Sequence, residues 1–142
     1  MTKTIVVARG VLTRIEPTTK IKQVLLLRRT SKQKRSPNHW ELPGGKINTI
    51  DNKEMRNCLV REFLEETSLK IKPKNKIHEL IEKDHHQHYF SVEHEGKLSE
   101  LGEIKLSRDH SEREWFELSE IEKIPKLTKG TLQAIKKALL HS

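Results

Sequence analysis

The sequence is poor in cysteine and in aromatic residues, and it contains no long apolar stretch. Its one cysteine, Cys58, excludes an intramolecular disulfide framework and a cysteine-based zinc site. No apolar run approaches the roughly 20 residues of a membrane-spanning helix, and the N-terminal segment lacks a signal-peptide cleavage pattern. We therefore expect a cytoplasmic protein, kept in a reducing environment and away from the membrane.

The chain is instead rich in charge, most of it positive. Its 142 residues include 28 Lys and Arg against 20 Asp and Glu, a net charge of +8. This excess favours anionic partners such as nucleotides, nucleic acid or an acidic membrane surface, although scattered basic residues also describe an ordinary Lys-rich surface. Segment 30–39 carries Lys32, Lys34 and Arg35. It either steers phosphates toward a neighbouring site or is a solvated loop.

The apolar residues fall in ordered blocks, so 33% hydrophobic and 34% charged residues do not indicate disorder. No repeat or linker divides the chain, and we expect a single domain over residues 1–142. Blocks rich in β-branched and aromatic residues predict strands at 4–15, 24–27, 84–93, 103–106 and 114–118. The pattern at 76–83 suits a strand or a helix, and a strand is favoured. The first two strands suit a hairpin. Turns or loops are predicted at 44–45, 71–75 and 108–112.

A central helix is predicted over residues 51–68, with Asp51 or Asn52 as N-cap. Cys58 borders both sides of this helix and is interpreted as a small packing residue. A brief helix at 120–124, capped by Ser119, and a final helix at 128–140 complete the pattern. The apolar arc of the central helix is expected to consist of Leu59, Val60, Phe63 and Leu64. The order of elements predicts an α/β fold in which a mixed β-sheet is sandwiched between α-helices.

Three carboxylates lie on one edge of the central helix. Glu62 and Glu66 are four residues apart, and Glu62 and Glu65 three apart, so their like charges crowd together. They raise one another's pKa unless something positive lies among them, and Arg61 and a divalent cation are the candidates. Carboxylates are the ligands that Mg²⁺ prefers. The pattern indicates a metal site for a phosphate ester or anhydride, or else a solvated acidic face with Lys partners.

Two stretches resemble the Nudix box and its surroundings. Residues 61–69, REFLEETSL, match the second half of the box, Arg-Glu-U-x-Glu-Glu-x-Gly-U with U a bulky aliphatic residue, except at Ser68. Residues 40–47, WELPGGKI, are typical of MutT-like Nudix hydrolases. The resemblance implies the Nudix fold and a Mg²⁺-dependent hydrolase. Such an enzyme cleaves a phosphoanhydride bond in a nucleoside diphosphate-linked substrate, either a nucleoside triphosphate or another small nucleotide.

The chain departs from the box at two places. Gly45 and Arg61 are two residues further apart than the motif prescribes. The first Glu of the box then falls among Asp51, Lys53 and Glu54. Ser68 replaces a glycine that usually ends the helix in a left-handed conformation. If serine keeps that geometry it costs about 1 kcal/mol; otherwise the helix ends differently.

Position by position, the resemblance assigns both a metal site and a catalytic set. Arg61 would orient the carboxylates. Mg²⁺ or Mn²⁺ would be held by the Gly45 carbonyl, Glu62, Glu65 and Glu66. The general base of the family is a Glu of the box or a Glu from a loop before the late strand. The candidates here are Glu65, Glu66, Asp109 and Glu112.

Several other residues have both a structural and a functional interpretation. On a strand, His86 and His88 share a face while His85 points the other way, so the three do not form one metal cluster, and a cleft-lining role is the alternative. Trp40 belongs to the core or stacks on a base. Arg28 or Arg29 contacts phosphate, or is a surface charge at the end of a strand.

Two other functions would use the same residues. A non-catalytic Nudix-fold module would bind a nucleotide or an RNA end through its basic surface, but it has no need of three close carboxylates. An RNA 5′-end pyrophosphohydrolase would use the same chemistry in a basic groove. A minimal domain favours a small nucleotide over nucleic acid as the partner.

Overall fold

The protein's structure, a computed structural model, describes residues 4–97, 100–101 and 104–140. Its strands are β1 (Ile5–Ile15), β2 (Lys22–Arg29), β3 (Trp40–Glu41), β4 (Gly44–Ile47), β5 (Ile71–Glu82), β6 (His85–His94) and β7 (His110–Phe116). Its helices are α1 (Asn52–Thr67), α2 (Leu118–Ile121) and α3 (Thr131–Leu140).

The described strands form one mixed sheet around β1. The order is β3-β2-β1-β6-β5, with β4 added to β1 and β7 added to β2. The β1 strand pairs in parallel with β6, whereas its pairings with β2 and β4 are antiparallel. Because β1 is 11 residues long, its first half holds β4 and its last residues hold β2. The predicted hairpin of β1 and β2 is confirmed.

Side chains on both faces of the sheet are buried against helices. Along β2, Leu25 and Leu27 join the apolar cluster beneath α1, and Val24 and Leu26 join the cluster beneath α2 and α3. All four are at most 1% exposed. This alternation explains the continuous apolar run, since a strand covered on both faces has no solvent side. The predicted sheet between helices is confirmed.

Helix α1 begins and ends close to the predicted residues. The Asp51 side chain accepts a hydrogen bond of 3.0 Å from the amide of Glu54, which makes Asp51 the N-cap. At the other end Ser68 takes the left-handed conformation, with φ of 65°, and donates its amide to the carbonyl of Leu64 at 2.8 Å. The left-handed end of the helix is therefore kept although serine replaces glycine.

The buried face of α1 is narrower than predicted. Its fully buried residues recur every four positions and are Met55, Leu59, Phe63 and Thr67. Val60 and Cys58 pack partly buried against the same cluster, so Cys58 is a packing residue as expected. The inward position predicted for Leu64 is wrong, because this residue lies beside the buried stripe and is 45% exposed.

Several predicted boundaries are wrong for local reasons. Residues 44–45 begin β4 rather than forming a turn, and 71–75 belong to β5, where Pro73 is tolerated at a sheet edge beside a register shift. The loop at 108–112 ends earlier because His110 already pairs with β2. Residues 104–106 are not a strand, and residue 103 lies outside the described residues. The N-cap of α2 is Glu117 instead of Ser119, because the Glu117 and Glu120 side chains form a reciprocal capping box.

Substituting Ser68 tests the cost of the left-handed helix end. Ser68→Gly should stabilise the fold by up to about 1 kcal/mol, because glycine adopts this conformation without a Cβ clash. Ser68→Ala should change stability little, since it retains the clash. Urea unfolding of the three proteins measures the difference. A destabilising effect of glycine would contradict this explanation.

Candidate active site

A cleft of about 830 Å³ opens beside the N-terminal half of β1. Its lining comes from all seven strands and α1, together with the segment before β3, Asp109 and residues 127–129. Sheet pairing draws these elements together, because β1 contacts β4 on one side and β6 on the other. Of the predicted site residues, Gly45, Glu62 and Glu66 line this cleft, together with Gly44.

The two glycines allow the backbone of β4 to lie against its neighbours. A Cβ atom at Gly44 would overlap the backbone of Ala8 on β1. A Cβ atom at Gly45 would lie 2.5 Å from the Glu62 carboxylate oxygen Oε2. Only a residue without a side chain permits both contacts. The Pro-Gly-Gly sequence therefore serves to bring a backbone strand against a helix carboxylate.

Glu66 is partly buried in the wall of the cleft. Its Oε1 accepts a hydrogen bond of 3.0 Å from the amide of Gly44. Burial raises the pKa of Glu66 to about 7, although the charge of His110 and the Gly44 hydrogen bond act in the opposite direction. In the absence of a cation this carboxyl group is thus half-protonated near neutral pH.

Glu62 and Glu65 differ in exposure. The pKa of Glu62 is raised by burial and then by the charge of Glu65, while Arg61 partly opposes the increase. The Arg61 guanidinium lies 3.4 Å from Glu62 Oε1 and 3.8 Å from Glu65 Oε1. The Glu65 side chain is 59% exposed and does not contribute to the cleft lining. Arg61 therefore bridges one carboxylate in the cleft and one at its outer edge.

In addition to Arg9 and Arg29, which pair with Glu41, five cations line the same cleft. Three come from the basic segment before β3, as the composition of that segment suggested, and two from elsewhere. We call them the cleft cations: Lys32, Lys34, Arg35, Lys46 and Lys129. Lys129 pairs with Glu82 at 3.3 Å, and Arg35 contacts the ring of His85. Within the described part of the chain, Lys32, Lys34 and Lys46 have no carboxylate partner. Their charge is available to an anionic ligand.

The two loop candidates for the general base lie in different places. Asp109 lines the cleft, and its Oδ1 accepts a hydrogen bond of 3.3 Å from the side chain of Gln33. Glu112 lies on β7 and pairs with Arg28 at 2.9 Å, and it is not part of the cleft lining. The structure thus separates Glu112 from the carboxylates with which the sequence grouped it.

None of the candidates for the first Glu of the box lines the cleft. Asp51 is occupied as the N-cap of α1, and Lys53 and Glu54 belong to the exposed first turn of that helix. The longer spacing between Gly45 and Arg61 therefore moves this part of the motif away from the site.

A buried ionic network in the wall of the cleft was missed from the sequence. Glu41 is 2% exposed, and its Oε1 lies 3.2 Å from both Arg9 and Arg29. Its Oε2 lies 2.8 Å from Nε2 of the buried His110. Burial would raise the pKa of Glu41, but Arg9, the hydrogen bond from His110 and Arg29 together lower it to about 2. Arg9 also donates to the side chain of Gln87 at 3.0 Å.

A sequence signal for this network did exist. Arg9 interrupts the apolar stretch at residues 5–12, and Glu41 lies between two large apolar residues. A charge in such a position requires a partner when the strand is buried. Which residues form that partnership depends on strands that are distant along the chain.

The histidines of β6 divide between the two faces of the sheet, as predicted. His85 lines the cleft and lies 2.9 Å from Asp84 Oδ1. His86 and His88 share the opposite face, with ring centroids 4.0 Å apart. Burial, with the nearby charges of Lys76 and His86, lowers the pKa of His88 to about 4. A cleft-lining role is thus available to His85 but not to the other two.

Trp40 and the arginines of β2 also have definite positions. The Trp40 ring packs edge-on against Phe116, with centroids 5.0 Å apart, as part of the cluster beneath α3. Arg29 lines the cleft, although it is paired with Glu41, and Arg28 is paired with Glu112 outside it. Trp40 is thus a packing residue.

The chain belongs to the NUDIX domain family, whose model matches residues 4–138. Membership of this family, with helix carboxylates and unpaired cations in one cleft, supports a pyrophosphohydrolase. A search of curated proteins found no match.

Solved structures share the same fold. A MutT protein from Methanosarcina mazei Go1 superposes with a TM-score of 0.74 at 20% identity, over 99% of this chain and 97% of that one. An Ap4A hydrolase from C. elegans superposes with a TM-score of 0.72 at 18% identity, over 96% of each chain. An ADP-ribose pyrophosphatase from Streptococcus suis 89-1591 superposes with a TM-score of 0.69 at 16% identity, over 96% of this chain and 90% of that one. At these identities the likeness establishes the fold alone.

Among the described residues, no helix has the length and apolar character required to cross a bilayer.

Glu66 should make stability depend on pH in the absence of metal. Its pKa is about 7 in the folded chain against an ordinary 4.5, so between these values only the unfolded state has released the proton, and stability falls as pH rises. Glu66→Gln should therefore stabilise the protein at pH 8 by an amount on the order of 3 kcal/mol and have little effect at pH 4. Urea unfolding in EDTA at the two pH values measures this.

The control is Glu65→Gln, which removes an exposed carboxylate of the same helix and should shift stability by less than about 0.5 kcal/mol at either pH. An equal gain from Glu66→Gln at both pH values would show that the effect does not come from its titration.

Removing the charge of Glu41 should be much more costly than removing an exposed one. Glu41→Gln leaves Arg9 and Arg29 buried without a counter-charge and should destabilise the fold by about 3–5 kcal/mol. Glu112→Gln breaks an ion pair at the surface and should cost at most about 1 kcal/mol. Thermal or urea unfolding compares the two variants. Equal small losses would mean that the buried network is energetically neutral.

Proposed function

We propose that the protein is a divalent-metal-dependent Nudix hydrolase, acting as one domain over residues 1–142 in the cytoplasm. It would cleave a phosphoanhydride bond in a nucleoside diphosphate-linked substrate. The observation that carries this proposal is that Glu62 and Glu66 share one cleft with cations that lack carboxylate partners. The carboxylates suit a metal ion and the cations suit phosphate oxygens, so a metal-bound phosphate chain satisfies both.

The residues present fit Mg²⁺ or Mn²⁺. The Gly45 backbone lies directly against the Glu62 carboxylate, and Glu66 is a partly buried carboxylate whose pKa is raised chiefly by burial. Oxygen ligands of this kind are those that hard divalent ions take. Gly45, Glu62 and Glu66 would hold the ion inside the cleft, with Glu65 at the outer edge and Arg61 orienting the carboxylates. When bound, the ion would neutralise phosphate charge and lower the pKa of the attacking water.

Two residues are the best-placed general bases. Asp109 lines the cleft and is exposed, so it is open to water. Glu66 also lines the cleft, and its pKa of about 7 is close to neutral pH, where a general base is most effective. Glu112 and Glu65 are less suited because neither lines the cleft.

The cleft cations favour a substrate with a long phosphate chain. Lys32, Lys34 and Lys46 are each free to pair with a phosphate oxygen, and a diphosphate would leave part of this charge unused. The solved structures that share the fold include proteins named as an ADP-ribose pyrophosphatase and an Ap4A hydrolase. Of these two substrate types, we propose that this cleft suits the tetraphosphate, or a nucleoside triphosphate, better than ADP-ribose.

Hydrolysis of a substrate panel tests the proposal. Nucleoside triphosphates, Ap4A, ADP-ribose and a 5′-triphosphorylated RNA are supplied with Mg²⁺, Mn²⁺ or EDTA. We expect metal-dependent turnover, highest for the small substrates with three or four phosphates. Glu62→Gln should lower kcat at least about a hundredfold, as expected when an interaction that stabilises transition-state charge is removed. No turnover on any substrate, or full turnover in EDTA, would refute the assignment.

Two matched variants test the role of charge in selectivity. Lys34→Ala should lower kcat/KM for Ap4A more than for ADP-ribose, because a longer phosphate chain uses more of the cations. Lys123→Ala removes an exposed lysine that does not line the cleft and should leave both values unchanged. If Lys34→Ala lowered kcat/KM equally for both substrates, Lys34 would not distinguish substrates by the number of phosphates.

A further inference from the structure

A second group of potential metal ligands lies outside the cleft. Glu79 on β5 and His86 and His88 on β6 each offer one ligand atom, and these three atoms all lie within 4.8 Å of one another. None of the three lines the large cleft. The group is therefore separate from the carboxylates of α1.

Strand geometry explains how these side chains meet. Residues two apart on a strand point to the same face, so His86 and His88 are neighbours, with their rings inclined at 33°. Antiparallel pairing places Glu79 directly opposite His88. Nε2 of His86 lies 2.9 Å from Glu79 Oε2, and Nδ1 of His88 lies 3.9 Å from Glu79 Oε1. Two regular strands thus hold all three ligands.

His88 is the unusual member of the group. Its side chain is 4% exposed, and within the described part of the chain neither of its ring nitrogens has a hydrogen-bond partner. Leaving buried polar atoms unsatisfied costs stability, and such atoms are uncommon in folded proteins. A metal ion bound beside Glu79 would use one of these nitrogens as a ligand.

The group also has a route to solvent and a preference among metals. Glu79 and His86 are 45% and 26% exposed, so an ion can enter from their side and keep a water ligand. Two imidazoles and one carboxylate are a ligand set that suits Zn²⁺ and related transition metals, whereas Mg²⁺ prefers oxygen ligands alone. The two metal-binding groups of this protein would therefore select different ions.

We propose that Glu79, His86 and His88 form a transition-metal site, of the Zn²⁺ type, on the sheet face opposite to the cleft lining of β6. The ion would join strands β5 and β6 through three protein ligands and one water.

Lys76 competes with the metal for this site. Its ammonium group is ion-paired with the same Glu79 carboxylate and is one of the charges acting on His88. A bound Zn²⁺ would have to displace this ammonium group. Lys76→Met should therefore tighten zinc binding, which a purely structural role of the three residues would not predict.

Zinc titration of the full-length protein by calorimetry tests the site. The titration is made in the Glu62→Gln background with excess Mg²⁺, so that the α1 carboxylates do not contribute. We expect one Zn²⁺ per chain and a higher unfolding temperature, since a ligand of the folded state stabilises it. His86→Ala and Glu79→Gln should each weaken binding by at least about tenfold, as even the loss of outer-shell partners has this effect. Both residues are partly exposed, so these variants should fold.

His78→Ala is the matched control, because His78 belongs to the same strand but contacts Lys137 and Tyr89 on the other face. It should bind zinc like its parent. Absence of zinc binding, binding that survives both ligand substitutions, or an unchanged affinity in Lys76→Met would each overturn the proposal. A site that takes Mg²⁺ in preference to Zn²⁺ would overturn it as well. These outcomes do not depend on hydrolysis, so they are independent of the proposed activity.

Discussion

The buried carboxylate of Glu41 is the interaction on which the rest of the structure depends. It ties Arg9 of β1, Arg29 of β2 and His110 of β7 to its own short strand β3. A charge that is 2% exposed is tolerated only when cations compensate for the lost hydration. Because three strands supply this compensation to a fourth, the charge requires all four strands to converge at the cleft. The arrangement of the cleft lining follows from the same requirement.

The second constraint is the contact between β4 and α1. Gly44 donates its amide to Glu66, and Gly45 leaves room for the Glu62 carboxylate. These contacts hold two acidic side chains in a partly dehydrated position, which raises the pKa of both. The Glu41 network meets this group directly, since the charges of His110, Glu41 and Arg9 all act on Glu66. The buried network and the helix carboxylates therefore form one electrostatic unit, and a change in either affects the other.

Strand β6 gives the protein two chemically distinct faces. His85 and Gln87 point to the cleft, where they contact Arg35 and Arg9. His86 and His88 point to the other face and meet Glu79. The sheet itself separates the two groups, so substitutions on one face can be made without removing ligands from the other. This separation makes the cleft chemistry and the proposed zinc site independently testable.

Local patterns were sufficient to predict most elements and the acidic edge of α1, because strand and helix periodicities depend on residues close in sequence. The left-handed helix end at Ser68 and the opposite directions of His85 and His86 follow from the same local geometry. Long-range packing determined what local patterns left open. It brought Asp109 to the cleft and turned Glu112 toward Arg28, paired Glu41 with Arg9, and placed Glu79 beside His88. The last three contacts each join two different strands, and the pairing of strands depends on the burial of the whole sheet rather than on any single segment.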